Sequence, residues 1–229
     1  MLYSYYTIRK LIGFLGVLLP VAVVLGCTEF LASISHYYYT RSAVFFISIL
    51  TAFGFFLISY RGYPRDKANE WLSDNIITHI GGIAILIVVI VPTDCMGSQS
   101  SQITAMCNSH HYPLFGHNNP VKSTIHLISA GIFLVAMGWM AFFRFTKGAK
   151  PDEKWKNVLY RTSAIVMWAS VLILLVEFII KKHFSAYDVF ILETVSVFAF
   201  GTSWLIKGEA IKAIIVTGKQ LLNLKTSSN

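Results

Sequence analysis

The sequence predicts an all-α integral membrane protein: a bundle of six transmembrane helices with both termini on the cytoplasmic side. Three observations lead there. The first is composition. Of 229 residues, 55% are hydrophobic and only 13% charged, whereas a soluble domain carries roughly 25% charged residues. The second is run length. Crossing ~30 Å of hydrocarbon at ~1.5 Å per helical residue takes about 17–25 apolar residues. Six such runs, none with Lys or Arg, occupy residues 11–27, 43–60, 76–92, 125–143, 164–180 and 189–206. Lipid leaves backbone groups no water to bond, so each run is read as helix rather than strand. The third is charge asymmetry. With the N-terminus inside, 15 of the 19 Lys and Arg residues fall in cytoplasmic segments and four outside, at Arg41, Lys122, Lys181 and Lys182. Cytoplasmic loops attract such an excess, which sets the orientation. The formal charge of +8 is thereby read as a topology signal and not as a nucleic-acid footprint.

In chain order, Met1–Lys10 carries Tyr3, Tyr5 and Tyr6, suited to the membrane interface. The first run ends in Val24-Leu25-Gly26-Cys27, which imitates a lipoprotein signal with Cys27 as the lipidated residue. Cleavage there would leave five spans in the same orientation. Thr28–Ser42 contains the tyrosine run Tyr37–Tyr39, read as interfacial anchors. Arg61–Asn75 is a charged cytoplasmic loop with a Gly62-Tyr63-Pro64 turn. Thr93–Thr124, the longest connection, is too short for a soluble domain. It holds Cys95 and Cys107, which an oxidising compartment would allow to form a disulfide. No Cys-x-x-Cys pair argues for a metal there instead. Arg144–Arg161 is a basic linker broken by Gly148 and Pro151, suited to anionic headgroups. Residues 181–188 form a tight hairpin, and 207–229 a cytoplasmic tail that fits an interfacial amphipathic helix only imperfectly. The whole chain is read as one transmembrane domain without internal repeats.

The segment Ser33–Thr40 (Ser-Ile-Ser-His-Tyr-Tyr-Tyr-Thr), then Tyr60-Arg61-Gly62-Tyr63, Val91-Pro92-Thr93 and Ile125–Ala130, resembles a set of uncharacterised bacterial multi-pass inner-membrane proteins over about residues 19–145. The resemblance implies a membrane fold in a bacterial inner membrane and no particular activity. The outside loop here, with its Cys pair and three His, is longer than that group's form.

The costly ionisable groups gather toward the outer face, where six of seven His and five of eleven acids fall. Glu177 precedes Lys181 by four residues, about 6 Å along its helix. Glu193 follows Asp188 by five residues, on the other arm of the hairpin. A carboxylate at that depth costs several kcal/mol unless paired or protonated, so both should face the bundle interior. Asp94 and His126 end their spans on the same side, and Ser33 and His36 share one face if the first helix extends that far.

Three readings follow. In the first, these groups glue helices together in a non-catalytic membrane component that partners the bilayer and another membrane protein or a second copy. The second is a metal-dependent lipid or amide hydrolase within the membrane. His36, His126 and His183 would hold zinc, Asp94 or Glu193 would serve as ligand or base, and Ser33 would stabilise an oxyanion. This arrangement remotely resembles the alkaline-ceramidase and progestin-receptor type of membrane hydrolase, which has seven spans and a His-x-x-x-His pair that this chain lacks. The third is a proton-coupled transporter relaying through Glu177, Glu193 and His126. His110, His111 and His117 are read as solvated, His79 as packed or snorkelling, and Gly81-Gly82 as a close helix contact.

Overall fold

The computed structural model describes residues 2–27, 29–62, 72–96, 98, 100–147 and 153–210, with side chains from residue 6 onward. Among these residues the secondary structure is helical throughout. The α-helices are α1 (Leu2–Leu25), α2 (Ala43–Ser59), α3 (Asp74–Ile90), α4 (Ser101–Ser109), α5 (Pro120–Trp139, continued by a π-helical turn to Phe145), α6 (Lys154–Ile180) and α7 (Asp188–Lys207). Four stretches are long and apolar enough to cross a membrane: Tyr6–Leu25, Pro120–Phe145, Lys154–Ile180 and Asp188–Lys207. Helices α2 and α3 are apolar but shorter, at 17 residues each. The cytoplasmic-tail reading of 207–229 and the breaks at Gly148 and Pro151 fall largely outside the described residues.

Local chemistry sets the helix ends. Ser73 and Ser100 each accept a backbone N–H of the first turn they precede, from Ile76 and Ile103. Asn119 accepts from Val121 and Lys122, and Pro120 takes the first helical position, where a missing N–H costs nothing. These caps start α5 five residues before its apolar run. Lys181, at φ 53°, turns the chain out of α6 in a left-handed conformation.

Each long helix packs on two neighbours, in the closed order α1, α2, α3, α5, α6, α7 and back to α1. Consecutive members run antiparallel, with backbones drawn together at small residues. A Cβ on Gly201 of α7 would stand 2.8 Å from the Gly13 carbonyl of α1, and one on Gly82 of α3 the same distance from the Gly54 carbonyl of α2. Close approach at glycine is how helices associate where lipid removes any hydrophobic drive between them. Phe53, Phe133 and Phe200, from α2, α5 and α7, meet inside the ring, with the Phe200 ring centroid 5.2 Å from each of the other two. Outward, α6 exposes Ile165, Leu172, Leu175, Phe178 and Ile179, a surface that lipid would cover.

Polar side chains collect at the two ends. At the end near Arg9, that arginine donates to the Tyr60 hydroxyl at 2.7 Å, Arg144 pairs with buried Asp74, and Lys207 donates to the Phe145 carbonyl at 2.9 Å. The other end carries the Cys95–Cys107 disulfide. There α1 does not extend to Ser33; a 3-10 turn brings Ser33 and His36 to the same side instead. α1 stops at Leu25, and Ile34–Tyr39 form a separate 3-10 turn capped by Ser33, whose Oγ accepts from Ser35 N. Nor do Tyr37, Tyr38 and Tyr39 lie at an interface: they are 0%, 1% and 2% exposed. Each hydroxyl is tied to backbone instead. Tyr37 accepts from Leu31 N, Tyr38 from Phe115 N, and Tyr39 accepts from His117 N and donates to the Thr93 carbonyl. Burial pushes the Tyr39 phenol up to about 12, so it stays a donor throughout the physiological range.

Candidate functional site

A cavity of about 470 Å³ opens at the disulfide end. The 3-10 turn contributes Ser33 and His36, the disulfide loop Thr93 and Asp94, α5 Ser123 and His126, and the α6–α7 hairpin His183 and Asp188. Apolar wall comes from Leu127, Phe178 and Val189. The site is therefore assembled from four separate stretches of chain, each delivered by an antiparallel crossing of the ring.

From the lining residues Ser33 and His126 a partly buried hydrogen-bond chain runs through Ser35 to Glu193. Glu193 on α7 accepts the Ile34 N–H at 2.6 Å and the Ser33 hydroxyl at 3.0 Å. The Phe190 N–H, from the first turn of α7, donates to the Ala32 carbonyl at 2.8 Å, so three bonds moor that helix to the start of the 3-10 turn and the two residues before it. On the other side, His126 Nδ1 meets the Val91 carbonyl at 2.9 Å and His126 Nε2 meets Ser35 Oγ at 3.0 Å. Ser35 Oγ lies 3.4 Å from Glu193 Oε1 and closes the chain.

Proton counting constrains this chain. A carbonyl only accepts, so His126 Nδ1 carries a hydrogen. In the neutral ring Nε2 is then an acceptor, and the single Ser35 proton points to it. The contact from Ser35 to Glu193 then needs a proton from the carboxyl. Moving both protons one step gives the alternative: imidazolium, serine donating to carboxylate. Both ring nitrogens of His126 are occupied in either state, which leaves none for a metal.

The remaining candidates divide. Asp94 lines the cavity, and its Oδ1 accepts from Met96 N at 3.1 Å. His36 also lines it, with Nδ1 buried and without a hydrogen-bond partner. Burial pulls the His36 imidazole below its ordinary value, against the raising influence of the Asp94 carboxylate and the Met96 backbone. His117, buried under Tyr39, is lowered chiefly by desolvation as well. Glu177 does not share the environment of Glu193. It lies in a neighbouring cavity of about 520 Å³ that also touches His183, and its Oε2 is 3.3 Å from His183 Nδ1. His36, His126 and His183 form no common ligand set. Among the described residues the group of three metal-ligating side chains that converges is Glu177, His183 and Asp188. His110 and His111 are exposed and bond locally, to the Tyr112 hydroxyl and the Ser109 carbonyl, and His79 lies at the other end against the Asn75 carbonyl. Gly81 and Gly82 are helix contacts, against Met137 and the α2 backbone.

Sequence reasoning passed over Ser35 and Asp188. Ser35 is the hinge of the buried chain because the 3-10 turn sets its hydroxyl beside that of Ser33, a conformation that hydropathy does not signal. Asp188 is legible as the acid opening α7. Comparison with known proteins adds no relative: no family model, no curated protein and no solved structure matches this chain.

Proposed function

We propose that the chain is a six-span component of a bacterial inner membrane, with both termini cytoplasmic, that performs no covalent chemistry and holds a small amphiphilic ligand in the cavity at its outer end. The closed ring supports six spans. Helices α2 and α3, at ~1.5 Å per residue, reach only about 25 Å. They are nonetheless ring members between α1 and α5, so immersing those two immerses all four. The cation asymmetry supports the orientation, and the disulfide suits an oxidising outer compartment.

One observation carries the non-catalytic reading. His126 lines the cavity, but the hydroxyl beside its imidazole belongs to Ser35, which does not line it. Ser33, which is on the wall, spends its proton on Glu193. Nucleophilic catalysis needs an oriented base and a hydroxyl that substrate can reach, and here the two are separated. What faces the cavity is Asp94, Asp188, His36 and His183 above an apolar wall, a lining that suits an amphiphile with a polar or cationic head.

The two proton arrangements of Glu193, Ser35 and His126 favour a second reading, proton-coupled transport. Against it stands the Phe53–Phe133–Phe200 contact, which fills the core between the two polar ends. Proteoliposomes with an entrapped pH dye decide between them. We expect vesicles containing the protein to hold an imposed pH gradient as long as empty ones. A leak that Glu193→Gln removes would overturn the non-catalytic binding reading in favour of transport.

A further inference from the structure

We propose that Glu177, His183 and Asp188 form a binding site for a divalent transition-metal cation of the zinc type at the lip of the outer cavity. The inference stands apart from the reading of the buried Glu193 chain, with which it shares no residue.

The backbone builds the cluster. α6 delivers Glu177 in its last turn, the left-handed Lys181 reverses the chain, His183 follows two residues later, and Asp188 opens α7. One ligand atom from each of the three lies within 4.8 Å of the others. His183 Nδ1 is 3.3 Å from Glu177 Oε2 and 3.6 Å from Asp188 Oδ1. Two features prearrange the carboxylates. Asp188 is held by backbone donors, Ser185 N at 2.9 Å and Val189 N at 2.7 Å. Glu177 is held by burial, being only 3% exposed.

The arrangement as it stands is electrostatically incomplete. The second Glu177 oxygen, Oε1, is enclosed and accepts no hydrogen bond. Such an orphaned buried acceptor is unfavourable, and more so if charged. Among the described residues no Lys or Arg lies within ion-pair distance of Glu177 or Asp188; the ion-pair partner of both is His183. Two acids and one neutral imidazole balance the charge of one divalent cation. A mixed nitrogen and carboxylate donor set with three protein ligands is a zinc-type set, and it leaves a coordination position for water or a ligand. Magnesium, which prefers oxygen donors and keeps its waters, suits it less. Entry is open, since the His183 side chain is 67% exposed, and His183 and Asp188 both face the cavity.

The test uses the full chain in detergent micelles, stripped with chelator, then titrated with Zn²⁺ and read by equilibrium dialysis with elemental analysis. The proposal expects one Zn²⁺ retained per chain, at least tenfold tighter than Mg²⁺. His183→Ala truncates an exposed side chain and should weaken Zn²⁺ binding at least tenfold with tryptophan fluorescence unchanged. Glu177→Gln should do the same. Replacing exposed His110 and His111 together by Ala should leave binding intact. No retained zinc overturns the proposal. So does zinc that survives both His183→Ala and Glu177→Gln, or zinc that leaves with His110 and His111.

Discussion

Truncating Glu193 to alanine should unmoor α7 from the 3-10 turn, and its cost can be worked from the contacts it removes. The Ile34 N–H, now 2.6 Å from Oε2, would be left facing the space vacated by the side chain. The Ser33 hydroxyl would lose its acceptor at 3.0 Å. A buried donor stranded in this way costs about 1–3 kcal/mol. Two of them, less some relief from rotation of the Ser33 hydroxyl, give about 3–4 kcal/mol. Glu193→Gln keeps one carbonyl oxygen for Ile34 N–H and loses one acceptor, so it should cost only about 1–2 kcal/mol. Reversible unfolding in mixed micelles, driven by a denaturing detergent and followed by tryptophan fluorescence, reads both values. Buried Trp204, in contact with Phe200, supplies a core signal. An alanine variant within about 0.5 kcal/mol of the parent, the range of an ordinary surface substitution, would refute the reasoning.

Two further predictions concern acid and packing. Burial holds the His36 imidazole below its ordinary value, so the unfolded chain takes up its proton first as pH falls. Stability should therefore drop as pH is lowered through the unfolded value of about 6.5, and rise toward neutral pH. A melting series between pH 8 and 5 should show this slope, and His36→Asn should flatten it; an unchanged slope would contradict the assignment. Gly82→Ala would place a methyl group 2.8 Å from the Gly54 carbonyl and from Ile58 Cγ1. It should destabilise by about 1–3 kcal/mol, the usual cost of overpacking, in the same unfolding assay. No loss would mean that α2 and α3 cross less closely.

The six apolar helices were legible because hydrocarbon thickness imposes a minimum run that few soluble segments reach. Their ends were not. α5 begins at Pro120 and α6 at Lys154, well before the apolar runs at 125 and 164, because polar first turns extend a helix beyond what hydropathy sees. For the same reason the short polar helix α4 in the disulfide loop gave no signal. Cys95 and Cys107 pair as their shared loop suggested. The candidate residues were harder. Glu193 and Glu177 were both expected to face inward from the two arms of one hairpin, yet they face different partners: Ser33 and Ile34 for the first, His183 for the second. The difference arises in the 3-10 turn, which folds back onto α7 through hydrogen bonds between residues about 160 positions apart. No local pattern carries that pairing. Tyr37–Tyr39 failed as interface anchors for a related reason: their hydroxyls find backbone partners inside the fold.

Access to the cavity from the outer side can be read directly by one labelling measurement. Ser123 lines the cavity and is replaced by cysteine with little change in size. Cys27, the free thiol, is changed to serine, while the Cys95–Cys107 disulfide leaves no other reactive sulfur. Ser123→Cys should react with a membrane-impermeant maleimide in right-side-out vesicles and resist it in sealed inside-out vesicles. Labelling from the cytoplasmic face alone, or only after detergent is added, would contradict outer access.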